Sequence, residues 1–185
     1  MTIRITVDAA AVREVERKLG PLARKAPNAI SNALNRAVTN INSNVKKEVR
    51  SKYHIKAGDV SDTLDVRRAN AADLSAHVIS KGKVIGLDKF KVSPKTVNPK
   101  RKGQLKIAVK KEGTKQILGA FVANLHGIKL FERDGKKRSP ISRLMGPSVP
   151  QMIGNEDIVA KIEREGQLTY NRRLEHEINY LLSKL

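Results

Sequence analysis

The sequence predicts an α+β fold, with an antiparallel sheet packed against a long N-terminal helix and a C-terminal helix. Three observations carry this. Between Pro27 and about Tyr53, the residues Ile30, Leu34, Val38, Ile41, Val45 and Val49 recur at three- and four-residue steps, the period of one helix face. From Gln104 to Arg133, apolar and polar residues alternate instead, in runs broken at Glu112-Gly113-Thr114 and His126-Gly127, as in a strand meander. From Asn155 onward a helical stripe returns, with Ile158, Ile162, Tyr170, Leu174, Ile178, Leu181, Leu182 and Leu185. A chain of 185 residues suits a single domain over 1–185, long enough for a real core.

In chain order, Thr2 to Val7 alternates and is rich in β-branched residues, so it reads as a strand. Asp8 is placed to cap a helix over Ala9–Leu19, which Gly20-Pro21 ends. The long helix begins near Pro27, a residue suited to a first turn because it lacks the N–H that would lack a partner there. Its other face carries Asn28, Asn32, Asn35, Asn40 and Ser43, poor helix formers, so it depends on tertiary or subunit packing and leaves that face to water or a partner. Asp59 reads as the cap of a short helix running through Leu64, and Leu64–Arg67 and Leu74–Ile79 as the strands of a hairpin. The stretch from about 81 to 103, with Ser93-Pro94, Asn98-Pro99 and Lys100-Arg101-Lys102-Gly103, reads as a long basic loop ordered by a partner. After the meander comes a basic, proline-punctuated exit, Lys136 to Pro150. Gly166 interrupts the closing helix at about 155–185, as a kink or a break.

Charge is the loudest feature: 37 Lys and Arg against 18 Asp and Glu, a net of +19. From Lys81 to Lys115, twelve basic residues face only Asp88 and Glu112, a net of +10. Such a density repels itself and favours an anionic partner, either nucleic acid or an acidic protein face. The residues expected to meet it are Lys89, Lys91, Lys95, Lys100, Arg101, Lys102, Lys136, Lys137, Arg138 and Arg143. Those expected to form core or oligomer packing are Ile30, Leu34, Val38, Ile41, Val45 and Phe121. The absence of cysteine excludes disulfides and thiolate metal sites. No apolar run approaches the length of a membrane span, and a reducing cytoplasm is the expected place of synthesis.

For chemistry the chain offers little, and no catalytic, cofactor or metal residues are expected. His126 beside Gly127 reads as a turn residue, and His77 as a hydrogen-bonded sheet histidine. Asp59, Asp62 and Asp65 lack the glycine and terminal glutamate of a calcium loop. A non-specific nucleic-acid-binding module built on Lys-rich 81–115 is the alternative function. Against it, Phe90 is the one aromatic ring in that stretch, and stacking on bases wants several. Lysine also contacts phosphate as a point charge rather than reading base edges.

Five stretches in order carry a resemblance: Ala33-Leu34-Asn35-Arg36-Ala37; Gly119-Ala120-Phe121-Val122; Phe131-Glu132-Arg133-Asp134-Gly135; Arg138-Ser139-Pro140-Ile141; and Pro147-Ser148-Val149-Pro150. With the Lys/Arg-rich middle between the first two, the chain resembles the phage minor tail protein Z family, the lambda-like tail completion proteins. The resemblance implies a structural virion protein without catalysis or cofactor. Such a protein is added at the head-proximal end of the tail so that it can join a filled head, and is assembled in the host cytoplasm. It further implies a ring, sixfold by the usual tail symmetry. The implied partners are tail terminator, tail tube or connector proteins and the DNA end in the tail lumen, with no membrane and no small-molecule substrate.

Overall fold

The computed structural model describes residues 1–101 and 103–184, and it is α+β. Strand β1 (Thr2–Thr6) leads to α1 (Ala9–Leu19) and a 3₁₀ turn (Gly20–Lys25). Helix α2 (Ala26–Lys52), short α3 (Ala57–Ser61) and strands β2 (Leu64–Arg67) and β3 (Ser75–Ser80) follow. The middle holds β4 (Ile85–Gly86), a 3₁₀ turn (Leu87–Lys89), β5 (Lys91–Ser93), β6 (Leu105–Ala108) and β7 (Lys115–Ile117). Then come β8 (Phe121–Asn124), β9 (Ile128–Arg133), β10 (Ile141–Arg143), β11 (Met145–Gly146), α4 (Val149–Ile153) and α5 (Glu156–Leu182). None of the described helices is long and apolar enough to cross a membrane.

Helices α2 and α5, each 27 residues and so about 40 Å long, lie along one another and make the main packing seam. On α2, Ile30, Leu34, Val38, Ile41 and Val45 are all 0% exposed, as expected of the stripe. Ala26, Ala29, Ala33 and Ala37 are buried beside them, which widens the apolar face enough to meet two layers. One layer is α5. The other is the sheet β1-β3-β2, antiparallel throughout, whose Ile3, Ile5, Ala76 and Val78 face the helices. The outer face of that sheet carries Arg4, His77 and Arg67 in one cross-strand row.

Gly166 does not break the closing helix. Helix α5 runs on through it, and it is buried. A Cβ there would sit 2.8 Å from Ile41 Cδ1 and 2.9 Å from Ile41 Cγ1, so the missing side chain lets α5 close on α2. The polar face of α2 is largely bonded inside the chain. Asn35 makes two bonds to the backbone of Ala69, at 3.0 and 2.9 Å. Asn32 and Asn44 donate to Glu177 and Glu165 of α5. Buried Glu48 accepts from Lys161 at 2.9 Å.

Asp8 caps α1 as expected, accepting from the Ala11 N–H at 2.8 Å. Asp59 does not cap α3. Lys56 holds the cap position, and Asp59 lies inside the first turn, paired with Lys89 at 2.9 Å. The helix ends at Ser61, and Leu64 opens β2.

The expected basic loop at 81–103 contains β4, a 3₁₀ turn and β5, and buries Gly86, Leu87 and Phe90. It is ordered from within, because β4 pairs with β11 and β5 with β6. The meander is split as well. Strands β5-β6-β7 form one sheet and β8-β9-β10 another, and β7 is not bonded to β8. Gly119, at φ 74, turns the chain between them. The sheet packed on the long helices is therefore the N-terminal one. The Pro147–Pro150 exit is the start of α4, where Ser148 and Gln151 form a reciprocal capping box. Phe121 is half-buried rather than core, its ring centroid 6.1 Å from that of Phe131 with the Arg133 guanidinium over its face. Lys102 and Leu185, expected in the basic arm and the closing stripe, lie outside the described residues.

Two substitutions test the seam. Leu34→Asn places an unpaired amide in the core and should cost about 4 kcal/mol, read as a large fall in the thermal midpoint. Gly166→Val should cost about 2 kcal/mol by overpacking Ile41, although valine outranks glycine as a helix former.

Candidate partner-binding surface

The basic residues singled out in the sequence do not form one site. Two are held by carboxylates. Arg143 reaches Asp88 Oδ1 at 2.8 Å through Nη2 and 3.2 Å through Nε, and Lys89 pairs with Asp59. Two more are bonded within their own loop. Lys95 donates to the Asp88 carbonyl at 2.7 Å, and the Arg101 guanidinium donates to the carbonyl and hydroxyl of Thr96, both at 2.8 Å. Lys100 is exposed in that loop. Lys136, Lys137 and Arg138 are exposed on the β9–β10 connection, anchored where Arg133 donates to the Arg138 carbonyl at 2.7 Å.

Lys91 belongs to a different group, one built by the fold. Helix α2 ends at Lys52, and the next residues meet the β6–β7 hairpin edge-on. His54 N–H donates to the Val109 carbonyl at 2.9 Å, Lys111 N–H to the Lys52 carbonyl at 2.8 Å, and Tyr53 bridges Lys110. This brings Arg50, His54 and Lys56 beside Lys89, Lys91 and Lys111, around a shallow hollow of about 320 Å³ floored by Tyr53, Ile55 and Phe90. No carboxylate is among the described residues that line it, and its Lys89 is paired with Asp59. The His54 imidazole registers the resulting field. Its pKa lies below the ordinary 6.5, first because of partial burial and then because Lys91 and Lys111 oppose a further positive charge. Asp59 holds the Lys89 ammonium above its usual value, mainly by accepting its hydrogen bond.

Arg50, His54, Lys56 and Lys111 were not legible as site residues, since the hollow is assembled from three separate stretches. The sole hint was the density of lysine. Ile30, Leu34, Val38, Ile41 and Val45 lie buried in the body of the fold, away from this surface. His126 is an exposed residue of the β8–β9 turn, at φ 53. His77 sits mid-strand between Arg4 and Arg67, its Nδ1 buried without a partner instead of hydrogen-bonded. Among the described residues no group of three or more His, Asp or Glu converges as metal ligands would.

An α+β chain with its core closed and its cations gathered at open surfaces is the kind of protein that works by contact with other molecules. The family model of the prophage minor tail protein Z matches residues 10–185, and the chain belongs to that family. No curated protein and no solved structure matches it. Membership makes it a structural protein of the phage tail, located in the virion and in contact with other tail proteins.

Replacing Lys91 and Lys111 with glutamine should raise the His54 pKa toward its ordinary value, read by NMR titration of the imidazole. The sign follows from linkage. Folding disfavours the imidazolium, so the contribution of His54 to stability is present above pH 6.5 and lost as pH falls through the folded value. The double variant should show less of that loss.

Proposed function

We propose that the chain is a tail completion protein, non-enzymatic, whose copies form a ring at the head-proximal end of the tail and so permit head–tail joining. Six copies match the usual tail symmetry. Its neighbours in this reading are the terminator, tube or connector proteins, with the DNA end in the lumen as a further contact. The observation that carries it is the match to the minor tail protein Z model over nearly the whole chain. The exposed Lys100 and the exposed Lys136–Arg138 loop support it, because they present charge at positions where no apolar core is at stake. Self-repulsion among them is relieved when each meets an acidic surface.

Electron microscopy of the purified protein should show rings, alone or on tail tubes. Changing Lys100, Arg101 and Lys102 together to alanine should leave the melting curve within about 2 °C of the parent, as expected for surface positions. The same change should lower the yield of joined, infectious particles. Normal infectivity would sink this role for the loop.

A further inference from the structure

The basic hollow does not stand alone. On the other side of Tyr53, which lines both, lies a groove of about 810 Å³. Its walls are Leu87, Ile107, Val109, Ile117, Met145 and Met152. Ile107 and Ile117 belong to the apolar face of the β5-β6-β7 sheet, which nothing in the chain covers completely; Val109 and Ile117 are half-buried and Met145 is 45% exposed. Lys110, Lys115 and a single carboxylate, Glu112, border the groove, and the adjacent Lys111 borders the hollow. One continuous surface thus runs from an apolar trough into a cluster of cations.

We infer that this composite surface docks a short segment of another tail protein, one with apolar residues followed by acidic ones. The inference rests on the assembly role proposed above and names the kind of partner this surface takes. Charge complementarity decides the occupant. A segment whose apolar side chains fill the trough places its next residues over Arg50, Lys56, Lys91 and Lys111, where carboxylates are stabilised and cations repelled. A second copy of this chain fits poorly, because Met152 and Ile153, the apolar residues ahead of its acidic Glu156-Asp157, are buried in its own core, and its exposed Lys100 and Lys136–Arg138 are basic. Nucleic acid matches the hollow alone, since phosphates gain nothing from the trough.

The test uses the intact protein and the synthetic peptide Leu-Val-Ile-Leu-Glu-Glu-Glu-Glu, followed by calorimetry and by NMR. Binding should raise the His54 pKa, as carboxylates offset the nearby lysines, and should shift the methyl signals of both Ile117 and Met145. A peptide with glutamine in place of glutamate, or with serine in place of the apolar residues, should bind about tenfold more weakly. Lys91→Glu with Lys111→Glu should weaken the parent peptide by about tenfold or more. Met145→Lys should weaken it too, although it adds positive charge. The readout on the unsubstituted protein stands even if a variant fails to fold.

Absence of peptide binding overturns the inference, as does binding that shifts His54 but leaves Ile117 unmoved. A short DNA duplex that raises the His54 pKa where the peptide does not would assign the surface to nucleic acid. Loss of rings in the Lys91→Glu, Lys111→Glu variant would assign it to a second copy. A parent protein that forms no rings yet binds the peptide would instead leave this surface standing and remove the ring.

Discussion

Everything in this fold depends on how closely two long helices approach. Helix α2 brings isoleucine, leucine and valine along one edge of its buried face and alanine along the other. Helix α5 answers with Ile158, Ile162, Tyr170 and Ile178, and with a glycine where Ile41 presses hardest. The same Cβ-less position meets Ile5 of β1, 3.4 Å from where a Cβ would lie, so helix, helix and sheet share one point of contact. With six aromatic residues in the whole chain, three Phe and three Tyr, a core of this size has to be built from branched aliphatics, whose fit depends on short interaxial distances. The Tyr170 hydroxyl shows the cost. It is buried without a partner and its pKa is pushed up to about 12 by that burial.

Polar side chains fix the register of the seam that apolar packing holds. Asparagines that weaken α2 as an isolated helix become connectors once α5 and the Ala69 backbone are in place. That reverses the usual meaning of poor helix propensity: the helix is conditional on the fold, and the side chains that make it so are the ones bonded across the seam. The charged groups divide in a comparable way. Asp88, Asp59 and Glu48 neutralise Arg143, Lys89 and Lys161 near the body. Most other cations in the middle of the chain are left to solvent, where like charges repel one another.

What could be read from the sequence was whatever is encoded locally. The α2 stripe, the Asp8 cap and the β2–β3 hairpin depend on residues within a few positions of one another, and each stands where expected. In the 81–103 stretch the strands are two and three residues long, too short for a period to show in the sequence. Strand β4 finds its partner near residue 145, a pairing that no local pattern reveals. The meander was misjoined at Gly119, where continuous apolar character from Ile117 to Val122 masks a turn. Gly166 was read by propensity, yet it was placed by packing against a residue more than a hundred positions away. The hollow stayed hidden for the same reason, since hydrogen bonds between the end of α2 and the β6–β7 hairpin create it.

The split of the meander into two sheets has a dynamic consequence. Among the described residues, strands β8, β9 and β10 share no ladder with the other strands, and beyond the buried side chains of Val122 and Leu130 they are tied to the body by the Leu87 N–H donating to the Leu144 carbonyl, the Asp88–Arg143 pair and the 3₁₀ turn at Leu87–Lys89. A unit held by so few links can open without opening the α2–α5 seam, as a separate foldon. Moving the strands that carry the Lys136–Arg138 loop therefore leaves the α2–α5 seam closed and uncovers chiefly Val122 and Leu130.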